Sequence, residues 1–143
     1  MSANAKPRAT GGCLCGAVRF EVTGPLRPVI ACHCGQCRRW SGHHVAATAA
    51  RRADIRMLEE DALTWYRSSE HAKRGFCRLC GSSLFWSAED APYMSIMAGA
   101  LDAPTGLHTV VNIMVQDKSD YYELDPDVPH IEGHDHRIVV PEN

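Results

Sequence analysis

Gly75-Phe76-Cys77-Arg78-Leu79-Cys80-Gly81-Ser82-Ser83-Leu84-Phe85-Trp86 has the form of a zinc knuckle leading into a hairpin strand. The Cys-x-x-Cys spacing places both sulfurs on one turn, and Gly81 permits a tight backbone whose amides face thiolate charge. Two sulfurs are half of a tetrahedral site. The matching half lies about sixty residues earlier, in Cys13-Leu14-Cys15-Gly16. On an extended chain Cys13 and Cys15 would point to opposite faces, so a local bend has to turn them together. Four sulfurs shared between these segments staple the amino-terminal strand to the later hairpin. We read Cys13, Cys15, Cys77 and Cys80 as a structural zinc site. Four buried free cysteines are the alternative, set against two matched pairs that are each followed by glycine.

The remaining cysteines stand in Cys32-His33-Cys34-Gly35-Gln36-Cys37, which brings the total to seven. Three close sulfurs leave no obvious fourth donor, and an ion held by three protein ligands keeps a position free for water or substrate. Cys32, Cys34 and Cys37 are therefore the candidate catalytic zinc ligands, giving two zinc ions per chain. Two other readings compete. His33, His43 or His44 could close the site as a fourth ligand, or Cys34 and Cys37 could act as a redox dithiol, although no βαβ context surrounds that Cys-x-x-Cys.

The chain has 143 residues, of which 45% are hydrophobic, enough for one compact domain. No apolar run approaches the ~20 residues that cross a bilayer. Residues 1–10 contain no apolar secretory stretch and read as a disordered leader, so the expected compartment is the reducing cytoplasm, where thiols bind metal rather than pair. Formal charge is −2 with pI near 6.4, and arginines occur as doublets rather than a basic block, which argues against nucleic-acid binding. Twelve arginines against three lysines suit planar recognition of carboxylates.

Val18, Phe20 and Val22 alternate with polar neighbours between Ala17 and Thr23, the pattern of a half-buried strand. Gly24-Pro25 and Pro28 turn the chain, and Val29-Ile30-Ala31 runs as a strand into Cys32. Gln36 to Trp40 suits one or two helical turns closed by Gly42. Further strands are expected at His44–Ala49, Ile55–Leu58, Leu63–Tyr66, Ser83–Trp86, Tyr93–Met97 and Thr109–Val115. No long segment has a 3.6-residue period, so the fold is expected to be mainly β with short helical turns. Residues 130–143 read as an irregular, mobile polar tail in which His130, His134 and His136 sit beside Glu132 and Asp135.

With the three cysteine groups placed, the sequence resembles the glutathione-dependent formaldehyde-activating enzyme family, also called the centromere-protein-V type. The matching residues are Gly12 to Phe20, Cys32 to Arg38 and Gly75 to Phe85, with weaker agreement at Gly99-Ala100-Leu101-Asp102 and Asp127 to Pro129. Coverage runs from about Gly12 to Pro129, within a zinc domain placed at residues 11–129. The resemblance implies a zinc-stapled, Mss4-like β-sheet fold and a carbon–sulfur lyase acting on a small thiol–aldehyde adduct such as S-(hydroxymethyl)glutathione. It also implies the same division of cysteines, four structural and three catalytic. The stretch Asp120 to Leu124 departs from the family pattern, in which a tryptophan often precedes it.

Arg38, Arg39 and Trp40 follow the third ligand and are candidates for lining the open face, with solvated arginines and a core tryptophan as the alternative. His33, His43, His44 or a water are candidate proton carriers, and His108 could approach from a late strand. Met94, Met97, Trp65, Phe85 and Trp86 read as core or pocket wall. A non-catalytic zinc-stabilised binding module is the competing function; the chain lacks the basic arm a chromatin module would carry.

Overall fold

A computed structural model describes residues 6–135 and 137–142. Among the described residues ten strands form two sheets, and one short α-helix joins two strands of the larger sheet. Strands β1 (Ala9–Gly12), β2 (Arg19–Val22) and β5 (Ile55–Glu59) make a three-stranded antiparallel sheet in the order β1-β2-β5. The larger sheet contains β3 (Val29–Cys32), β4 (Val45–Arg51), β6 (Leu63–Arg67), β7 (Ala72–Cys77), β8 (Ser83–Ala88), β9 (Tyr93–Met97) and β10 (Thr109–Ile113). Its order is β10-β3-β4-β9-β8-β7-β6, and every pair is antiparallel except β10 with β3. The mainly β architecture expected from the sequence is the one observed.

The two sheets meet over one apolar cluster. Val18, Phe20 and Val22 from the small-sheet segment pack against Leu84, Phe85 and Ile96 of the large sheet. Phe20 and Phe85 meet edge to face at 5.1 Å, and Trp65 stacks on Phe85 at 6.1 Å. Aromatic pairs in this geometry add about 0.5–1.5 kcal/mol beyond burial, so Phe85 is the hinge of the core. Trp65 and Phe85 are thus core residues, whereas Met97 and Trp86 belong to a second cluster around Cys37 and Val45.

Two strands were not legible in the sequence. Strand β7 reads Ala-Lys-Arg-Gly-Phe-Cys, and its alternation is disguised because Arg74 and Gly75 are both buried. Strand β1 begins at Ala9, two residues inside the expected leader, and contains no large apolar side chain at all. It is held by pairing with β2 and by a bridge from Gly11 to Leu101. A Cβ on Gly11 would lie 2.5 Å from the Ala100 carbonyl oxygen, so the close backbone approach requires glycine there.

Beyond residue 129 the described residues form no helix or strand, yet they are tied to the rest of the molecule. Ile131 N–H donates to Asn112 O at 2.9 Å and Met114 N–H to Gly133 O at 2.9 Å. Ile131 and Ile138 pack on the cluster of Ile30, Val111 and Ile113, and Val140 is buried. These spaced apolar residues, hidden among acids and histidines, attach the segment to the outer edge of β10. His136 lies outside the described residues. No described helix is long and apolar enough to cross a membrane.

Candidate metal centres

The first cluster is built from two tight turns. After β1 the chain bends so that Gly16 N–H donates to Cys13 O at 3.3 Å, and Gly16 adopts φ 85°. The second turn is one residue longer: Gly81 N–H donates to Cys77 O at 2.8 Å, with φ 81° at Gly81. Both glycines occupy the left-handed region that other residues enter only at a cost. The bend required between Cys13 and Cys15 is therefore present. Their sulfurs lie 3.7 Å apart, and Cys15 Sγ lies 3.8 Å from Cys77 Sγ.

All four sulfurs of Cys13, Cys15, Cys77 and Cys80 fall within 4.8 Å of one another. Tetrahedral zinc with Zn–S bonds of about 2.3 Å requires sulfurs about 3.8 Å apart, so the donor set and its spacing fit the ion. Outer contacts support the sulfurs. Val18 N–H donates to Cys13 Sγ at 3.2 Å, and Ser82 Oγ lies 3.2 Å from Cys80 Sγ while accepting from Leu14 N–H at 3.0 Å. The Ser82 hydroxyl, with its backbone amide, holds the Cys80 thiol down at about 5.

The second cluster sits where β3 ends and helix α1 (Gly35–Ser41) begins. Cys32 is the last residue of β3. Cys34 caps the helix by accepting from Cys37 N–H at 3.3 Å, and Cys37 is the buried residue of the first turn. Gly42 closes the helix with φ 89°, donating to Arg38 O at 2.7 Å. The three sulfurs lie within 4.8 Å of one another, and among the described residues no histidine or carboxylate joins them at that range. A hydrogen bond from Cys32, helped against burial by Arg74 and Cys34, lowers the Cys37 thiol to about 5. The same bond, together with burial, pushes the Cys32 thiol up. Binding zinc at either cluster would displace whatever protons its thiols still carry.

A cleft of about 250 Å³ opens beside the second cluster, lined by all three cysteines and by apolar residues of β3, β4, β8, β9 and β10. Its polar members are Arg27, Gln36, Arg74, Ser95 and His134. Arg74 is 2% exposed. Its Nη2 donates to Gln36 Oε1 at 2.8 Å and to Cys37 Sγ at 3.6 Å, while Gln36 Nε2 donates to Ser68 O at 3.0 Å. A buried guanidinium beside a buried thiolate offsets its charge, and the Gln36 clamp fixes its orientation.

The expected lining residues are elsewhere. Arg38 and Arg39 do not line the cleft, and Trp40 packs against Phe76 at 5.5 Å and Tyr66 at 6.0 Å. The helix turns its buried face, carrying Cys37, to the cleft, so the residues following the third ligand rotate away from it. Arg27, Gln36, Arg74 and His134 went unrecognised. Arg74 belongs to the strand that was not legible, and His134 to the segment read as a tail.

The histidines near the ligands form their own cluster. His33 is buried, with Nδ1 bonded to the Tyr122 hydroxyl and Nε2 2.8 Å from Asn112 Oδ1. His43 Nδ1 lies 2.6 Å from the Tyr121 hydroxyl, and His44 packs between His33 and His43 at 4.8 and 4.3 Å. Burial lowers the pKa of both His33 and His44, the latter with repulsion from His43 and His33. None of the three lines the cleft, and His108 is likewise absent from its wall. Asp120 to Leu124, where the family pattern departs, thus supplies the two tyrosines that hold this cluster.

Two sheets stapled by one cysteine cluster, with a second cluster facing a cleft, define a mainly β protein with two centres able to hold metal. The chain belongs to the glutathione-dependent formaldehyde-activating enzyme family, whose model matches residues 8–117. A curated relative from Schizosaccharomyces pombe, named an uncharacterized lyase, is 28% identical over 82% of this chain and 86% of its own. A putative glutathione-dependent formaldehyde-activating enzyme from Halomonas elongata is 29% identical over 80% of each chain. A crystal structure of a Rhodobacter sphaeroides protein superposes with a TM-score of 0.57 at 26% identity, covering 85% of this chain and 99% of that one.

Proposed function

We propose that the protein is a zinc-dependent carbon–sulfur lyase that makes or cleaves the adduct of a small thiol with formaldehyde, as in S-(hydroxymethyl)glutathione. The observation that carries this reading is a three-sulfur cluster in the wall of a cleft, with no fourth protein donor among the described residues. Cys32, Cys34 and Cys37 would hold the catalytic ion, and Cys13, Cys15, Cys77 and Cys80 the structural one. Zinc bound by three thiolates supplies a Lewis-acid position that keeps a substrate sulfur as thiolate at neutral pH.

In the cleavage direction the C–S bond breaks with its electron pair going to sulfur, the hydroxyl oxygen gives up its proton, and the C=O bond of formaldehyde forms. The addition direction reverses each move. Arg74 stabilises negative charge on Cys37, and the apolar wall limits competing water. His134, the histidine that lines the cleft, accepts and returns the hydroxyl proton. The cleft and the metal chemistry suit the reducing cytoplasm. A zinc-stapled binding module without chemistry gains nothing from a sulfur cluster that opens into a cleft.

The test is to add thiol and formaldehyde to protein carrying two zinc ions per chain and follow the adduct by NMR. Formation faster than the spontaneous reaction is expected. No acceleration in fully loaded protein would remove the lyase reading. Within that assay His134→Gln should lower turnover by about 10²-fold or more, the ordinary share of one positioned acid or base.

A further inference from the structure

Arg27 is half-buried at the entry to β3 and lines the cleft together with the three sulfurs. Its Nη2 donates to Ala47 O at 2.9 Å and its Nε to Pro28 O at 3.4 Å. Neither acceptor carries a charge. Among the described residues the ion pairs join other arginines and His71 to acids, and none involves Arg27. Burial lowers its pKa to about 10, with no acid to offset the loss of hydration. It still carries its proton at neutral pH, so the cleft wall presents a cation without a counterion.

Arg74, the other cation of the cleft, is already engaged with Cys37 and Gln36. The cleft that Arg27 lines has a largely apolar wall, which includes Ile30, Ala47 and Ile113. A guanidinium has five N–H donors, and two carbonyl bonds leave donors for a planar acceptor. The register sets a distance. Cys32 pairs with Val45, and Ala47, which anchors the guanidinium, lies two residues along β4. That is about 7 Å of strand, which keeps the guanidinium's anchor and the sulfur cluster in one stretch of the cleft wall.

We infer that Arg27 determines substrate specificity by binding a carboxylate of the thiol, so that the protein selects mercapto acids over neutral thiols. This rests on the lyase reading for its substrate, but the binding can be measured without catalysis. Zinc-loaded protein is titrated calorimetrically with 3-mercaptopropionate and with its neutral amide, in the wild type and in Arg27→Gln. The wild type should bind the acid about tenfold more tightly, the equivalent of one charge-assisted hydrogen bond. In Arg27→Gln the acid should fall to the affinity of the amide.

Equal wild-type affinities for acid and amide would overturn the inference, as would a preference for the acid that survives Arg27→Gln. If the variant does not fold, the wild-type comparison decides alone. The same thiols, assayed with formaldehyde, separate the two claims. Acid preference without accelerated adduct formation removes the lyase reading and leaves Arg27 as an anion site. Equal acceleration of both thiols keeps the lyase and removes the role of Arg27.

Discussion

Cys77 and Cys34 belong to different sulfur clusters, and one sulfur closes a core while the other borders a cleft. Cys77 is fully buried and belongs to the main apolar cluster, whereas Cys34 is half-buried at a helix cap. Structural zinc sites have apparent binding free energies of about 10–16 kcal/mol in zinc-finger peptides, enough to decide whether a small domain folds. We expect Cys77→Ser to lose one zinc and its cooperative thermal transition. Cys34→Ser should lose one zinc and activity while keeping a native circular dichroism spectrum. Metal analysis paired with melting curves reads both, and identical unfolding in the two variants would make both ions structural. All seven sulfurs were legible because thiolate spacing is local information. Arg74 and Arg27 were not, since one arginine in a sequence looks like another until burial and neighbours single it out.

Among the elements, β1 shows where pattern reading stops. Its four residues, Ala-Thr-Gly-Gly, have no apolar alternation, yet it pairs along its whole length with β2 and its Gly11 bridges to Leu101. What specifies the strand is the absence of side chains where another backbone must approach. The added Cβ of Gly11→Ala would meet Ala100 O at 2.5 Å and Phe20 Cζ at 2.7 Å. Because one of these atoms is backbone, relief requires moving the strand, and a loss of about 1–3 kcal/mol is expected by denaturant titration. Strands with alternating apolar residues, such as Arg19–Val22, were visible at once. Strand β7 was masked because its inward positions include a charged arginine that pairs with thiolate rather than apolar surface.

Across the whole molecule, the ends of the chain are sewn to the middle. Asp102 accepts from Arg19 Nη2 at 2.6 Å and from Thr10 Oγ1 at 2.6 Å, joining the first two strands to the segment before β10. The Arg19 bond, then that of Thr10, holds the Asp102 carboxyl below its ordinary value. Its contribution is therefore complete above the unfolded carboxyl pKa and fades as pH falls through the lower folded value. Arg19 and Asp102 are both well exposed, so screening limits the pair to about 0.5 kcal/mol. The stability gap between wild type and Asp102→Asn should be of that size at pH 7 and shrink toward zero below about pH 4.

At the other end, Ile131 and Ile138 cover β10, and His134 between them reaches the cleft. Removing everything after His130 exposes the surface under Ile131, Ile138 and Val140, at a cost of about 3 kcal/mol or more. A lower melting temperature with both zinc ions retained is the expected result. The family match stops at residue 117, so this cover is supplied by sequence beyond the matched region.

The two sulfur clusters also differ in how much polypeptide must exist before they can form. Three donors are complete once residue 37 has left the ribosome, all within six consecutive positions, while the quartet waits for residue 80 and for the sheets to bring its halves together. A nascent chain that loads both clusters would therefore meet its first ion in a local loop well before the stapling one. Loading should follow translation order at the compact trio and completion of folding at the quartet.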